Sequence, residues 1–100
     1  MPVEVIWEKH HYQQSSVLDA IQKHLEKTIT SYEIVSGEDI LMPSGDFARG
    51  LFFNRGIRMH GCVISAAARL NFISRSFPRE LKREVMIALA SPELKMHLLS

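Results

Sequence analysis

The chain opens on an alternation. Val3, Val5 and Trp7 are separated by Glu4 and Ile6 and followed by Glu8, a period of two that predicts a first strand over residues 3–8 with one apolar face. Residues 10–14, His-His-Tyr-Gln-Gln, read as a polar connection. Ser16 with Asp19 three positions later has the form of a capping box, Asp standing in for Glu. The helix it opens carries Val17, Leu18, Ile21 and Leu25 on one face and Asp19, Gln22, Lys23, Glu26 and Lys27 on the other. Short apolar runs at 32–35 and 40–42 follow. Ser36-Gly37 ends the first, and the turn residues 43–46 end the second.

Two strand-like runs, 47–53 and 57–64, are joined by Asn54-Arg55-Gly56. This predicts a hairpin with Gly56 in the left-handed conformation. In the first run Phe47, Arg49, Leu51 and Phe53 share a face. In the second, Ile57, Met59, Gly61 and Val63 share one face, and Arg58, His60, Cys62 and Ile64 share the other. Residues 65–73 fit a helix by propensity and equally the end of a strand. A helix begins near Pro78, with Leu81, Val85, Ala88 and Leu89 on one side. Ser91-Pro92-Glu93 opens a last short helix with Leu94 and Leu98 inward.

This order predicts a small single α+β domain over residues 1–100. It would contain an antiparallel sheet of about four strands, one N-terminal amphipathic helix and one or two C-terminal helices. Its 46% hydrophobic content is that of an ordinary folded chain. No apolar run approaches the roughly 18–20 residues of a membrane span, so no membrane partner is expected. The first residues lack the basic region of a secretory signal, and Cys62 has no second cysteine to pair with. Both point to a cytoplasmic setting.

Charge changes the picture more than composition does. The formal net charge is only +1, yet all seven arginines lie after residue 48. Residues 1–46 carry eight acids against three lysines, a net of −5, and residues 47–100 carry nine bases against three acids, a net of +6. From Phe47 to Arg79 there are six arginines and no Asp or Glu. Such a partition marks either an anion-binding surface or two halves that neutralise each other in the fold.

Arg49, Arg55, Arg58 and His60 sit among Phe47, Phe52 and Phe53, the mixture that single-stranded nucleic acid requires, although the phenylalanines are equally suited to a core. Residues 64–84 resemble a helix-turn-helix at Ala68, Ile73 and Leu81. They depart from it at Asn71, Phe72 and Pro78, and a loop followed by an amphipathic helix accounts for Pro78 better. The five histidines have no metal-ligand spacing, Cys62 is flanked like a small apolar residue, and no phosphate loop or carboxylate pair is present. No enzymatic activity, cofactor or metal is therefore expected.

The surplus of Val85, Met86, Ile87, Leu89, Met96 and Leu98 exceeds what one buried helix face uses. It points equally to a central helix buried on both sides and to a protein interface or homodimer seam, with Met86, Ile87 and Leu98 as the contact residues. The expected function is that of a small non-enzymatic interaction or regulatory module, adaptor- or inhibitor-like. Its Arg-rich face (Arg49, Arg55, Arg58, His60, Arg75, Arg79) would engage an acidic protein partner. The alternative is a nucleic-acid-binding regulator contacting phosphates through Arg49, Arg55, Arg58, Arg75 and Arg79.

Overall fold

The computed structural model of the chain describes residues 3–67, 70–71 and 77–99. Its elements run α1 (Val3–Thr28), β1 (Glu33–Leu41), β2 (Phe47–Arg55), β3 (Arg58–Ser65), β4 (Leu70–Asn71), α2 (Arg79–Leu89) and α3 (Pro92–Leu99). The strands lie side by side in chain order and pair antiparallel. Three of them are full length. β4 is a two-residue pair on the β3 edge, with Asn71 opposite Val63 and Leu70 opposite Ile64. The small α+β architecture stands, with three full strands where about four were expected. No helix among the described residues is long and apolar enough to cross a membrane.

The strand expected at 3–8 is helix instead. α1 runs for 26 residues and takes in that segment, the presumed connection and the expected helix. Ser16 and Asp19 therefore lie inside the helix and open nothing. An alternation of five residues is too short to exclude a helix, and no Gly or Pro interrupts residues 3–36. The polar stretch is helical for a further reason. His11, Gln14 and Ser15 lie on the stripe that continues as Leu18, Ile21 and Leu25, and are partly covered, whereas Tyr12, Gln13 and Ser16 are exposed. The sheet-facing side of α1 is thus polar in its middle turns and apolar towards its end.

The runs at 32–35 and 40–42 form one strand rather than two pieces. Ser36 faces Leu51 and Asp39 faces Arg49, so three steps along β1 match two along β2. This bulge accommodates one extra residue and brings Asp39 onto the helix-covered face, opposite Arg49. The turn after it is held by the Met42 amide to the Asp46 carbonyl at 2.8 Å. The β2–β3 hairpin forms with the expected faces, but its turn is shorter than expected. Arg55 and Arg58 are the last paired residues, leaving Gly56 and Ile57 as the loop. Gly56 has φ +63°, a conformation that favours glycine.

One core cluster joins all three helices to one face of the sheet. It comprises Ile21 and Leu25 of α1, Ile29 just beyond it, and Leu51, Phe53, Cys62 and Ile64 from the strands. Leu81, Val85 and Ala88 of α2 and Leu94 of α3 complete it. Full burial of side chains of this size contributes about 1.5–3 kcal/mol each. The His24 ring adds a cross-link, with Nε2 donating to the Ala88 carbonyl at 3.1 Å. The opposite sheet face leaves Val35, Ile40 and Met59 exposed. There the Phe52 ring fills the space over Gly37 and Gly50.

Candidate functional site

Arg49 sits on the covered face of β2, between Phe47 and Leu51, and is only 8% exposed. A cation there must be paired. Its Nε donates to Asp39 Oδ1 at 2.6 Å and its Nη2 to Asp39 Oδ2 at 3.2 Å, a two-point fork across neighbouring strands. Its Nη1 donates to Asp19 Oδ1 of α1 at 2.6 Å and to Gln22 Oε1 at 3.0 Å. His11 Nε2 approaches Asp39 Oδ2 at 3.4 Å, and the His11 ring lies 4.9 Å from that of Phe47. Gln14 Oε1 accepts from the Phe47 amide. The polar middle of α1 is therefore the partner of a buried ion pair.

The electrostatics agree with that geometry. Hydrogen bonding and attraction from the Arg49 guanidinium, with smaller contributions from His11 and Ser15, hold the Asp39 carboxyl below its ordinary value against the opposing effect of burial. Arg49 is held above its ordinary value, first by its hydrogen bond to Asp39 and then by Asp19. Part of the sequence-level charge partition is thus internal neutralisation, with acids of the first half enclosing an arginine of the second. The charge of Arg49 is committed inside the fold.

The other end of the same strands differs. Arg55 and Arg58 face each other directly across the hairpin and are both exposed. Among the described residues, no carboxylate lies within ion-pair distance of either. Arg55 is held over the Tyr32 ring, 5.6 Å from its centroid. His60 stands two residues beyond Arg58 on the same face. Its ring meets Tyr32 at 6.4 Å and Phe77 at 6.1 Å, both edge-on. Its Nδ1 is buried with no hydrogen-bond partner among the described residues. Tyr32, Arg55, Arg58, His60 and Pro78 line one cleft of about 360 Å³. The hairpin tip and the start of α2 are therefore neighbours, which chain order alone does not reveal.

The expected mixture of cations and stacking rings does not form one platform. Phe47 and Phe53 are buried in the core, and Phe52 lies on the opposite face of the sheet from Arg55 and Arg58. Arg75 lies outside the described residues, as do Arg69 and the helix-turn-helix positions Ala68, Phe72 and Ile73.

α2 carries a second feature. Leu81, Val85 and Ala88 are buried, and the opposite side is exposed. Arg79, Lys82, Arg83, Met86, Ile87 and Ala90 line a shallow groove there. Their spacing of three and four places them on one helical stripe, basic in its first half and apolar in its second. Met86 is 54% exposed and Ile87 62%. Leu98, the third expected interface residue, is half-buried and packs against the core.

Cys62 is buried without exposure, and burial pushes its thiol up to about 12. The thiolate is therefore scarce at neutral pH. Among the described residues, no group of three or more His, Cys, Asp or Glu could hold a metal ion. No known protein-family model, curated protein or solved structure matches this chain.

Reading the residues in order missed His11, Asp19, Gln22 and Asp39 as partners of Arg49, and Tyr32 as the support of Arg55. One signal for the first group was present. Arg49 occupies a core-facing position in a run of Phe, Leu and Phe, so it required a carboxylate from elsewhere in the chain.

Proposed function

We propose that the protein is a non-enzymatic interaction module whose α2 docks an acidic protein segment bearing apolar anchor residues. The observation that carries this reading is the stripe from Arg79 to Ala90. Two large apolar side chains, Met86 and Ile87, stand in solvent on the helix face turned away from the core. The helix positions next to them are cationic. Arg79 and Lys82 also lie in the half of the helix where the macrodipole favours acids, so their placement there does not serve helix stability. A partner helix with acids aligned to Arg79, Lys82 and Arg83 and apolar residues aligned to Met86 and Ile87 would complement both halves of the stripe. The regulatory role, as an adaptor or an inhibitor, follows from such docking without chemistry of its own.

The test is site-specific photocrosslinking in the native host, with benzoylphenylalanine placed in turn at Met86, Ile87 and, as an off-stripe control, Glu80. A discrete adduct from positions 86 and 87, absent from 80 and lost on Arg79→Glu with Arg83→Glu, supports the reading. Absence of any adduct from 86 and 87, with the protein folded and expressed, refutes it.

A further inference from the structure

We propose that the cleft between the β2–β3 hairpin tip and the start of α2 binds the phosphate group of a small phosphate monoester. Arg55 and Arg58 form the last ladder pair of the hairpin, so two like charges are held directly opposite each other. Such a pair opposes hairpin closure unless an anion lies between the two charges. No described carboxylate supplies one. Glu33, the acid nearest in sequence to Tyr32, pairs with Asn54 on the other face of the sheet.

The rest of the cleft is suited to the same ligand. Tyr32 holds the Arg55 guanidinium in place from below. His60 lines the cleft with Nδ1 closed off and unpartnered, so its contact with a ligand is through Nε2. Pro78 brings the first turn of α2 to the rim, and that helix start has no side-chain cap. The positive end of that helix therefore adds to the potential that the two arginines create.

The class of anion follows from a comparison within the molecule. At Arg49, one carboxylate fills one guanidinium fork through two hydrogen bonds. The cleft presents two forks and a charge of +2. A tetrahedral dianion with three terminal oxygens engages both forks and balances the charge, whereas one carboxylate leaves half the charge unbalanced. A volume of about 360 Å³ is at the small end of ligand sites and suits a monoester carrying a small organic group.

The experiment is an NMR titration of the full-length, isotope-labelled chain at pH 7.5 and constant ionic strength. It follows the arginine Nε–H and histidine ring signals. Methyl phosphate is the probe, methyl sulfate matches its shape with half the charge, and acetate is the planar control. Saturable shifts at Arg55, Arg58 and His60 are expected with methyl phosphate, with affinity at least tenfold weaker for methyl sulfate and acetate. Arg55→Ala and Arg58→Ala should each weaken methyl phosphate binding at least tenfold, while Lys95→Ala on α3 leaves it unchanged. The amide spectrum of each variant reports whether it remains folded. Shifts that never saturate, or acetate binding as tightly as methyl phosphate, would overturn the proposal. Arg55→Ala and Arg58→Ala variants that are folded and bind undiminished would do so equally.

Discussion

Arg49 and Arg55 share one face of β2 and meet opposite surroundings. Arg49 is enclosed by Asp39, Asp19 and Gln22, with side-chain exposure of 10%. Arg55 stands at the strand's end beside a second arginine and over a tyrosine. The difference lies in what the neighbouring elements bring. The β1 bulge and the polar turns of α1 deliver acids to one end of β2. The other end receives aromatics and the start of α2. One arginine is thereby a fastener of three elements, and the other keeps its donors available.

The largest expected effect tests the fastener. Arg49→Met leaves the Asp39 carboxylate buried without its partner and should cost about 3 kcal/mol in urea unfolding at pH 7. Arg55→Met should stay within about 0.5 kcal/mol. Equal losses at the two positions would erase the contrast. Acid unfolding tests the same pair. Because the folded-state value of Asp39 lies below its ordinary 3.8, the folded protein binds fewer protons there than the unfolded chain. The stabilisation is complete above about pH 4 and is lost as pH falls through the lowered folded value. Asp39→Asn should therefore lower stability at neutral pH and flatten its fall below pH 4.

Asp19 sharpens the comparison at smaller scale. Its side chain is 58% exposed, so Asp19→Asn should cost less than about 1 kcal/mol despite its 2.6 Å bond to Arg49. The smallest effect has the opposite sign. Arg58→Glu replaces repulsion across the hairpin tip with attraction and should stabilise the fold by about 0.5 kcal/mol. The same variant should abolish methyl phosphate binding in the NMR titration. A variant that gains stability and retains the ligand would separate the two roles assigned to that end of the sheet.

The hairpin was legible because its strands alternate cleanly and Gly56 marks the turn. α2 and α3 were legible from Pro78, from Ser91-Pro92 and from apolar spacing. α1 was not, because its middle turns face a buried ion pair rather than a core. Apolar periodicity cannot reveal a helix whose inward residues are His11, Gln14 and Ser15. The single strand β1 was hidden by its own bulge, which breaks the alternation at Gly37 and Glu38. Six arginines in the acid-free stretch stood out at once. Their separate fates depended on which acids the topology brings near them, and that is a matter of long-range contacts.

The bulge in β1 also governs how the chain tolerates a change in length. Between Ser36 and Asp39 the strand holds one residue more than its neighbour requires. Deleting Glu38 would leave Asp39 opposite Arg49 and every later residue in phase. Deleting Ile40 would move Leu41 to the open face and bring Met42 inward in its place. Two losses of a single codon, two positions apart, would therefore be a near-silent edit in one case and a frame error of the sheet in the other.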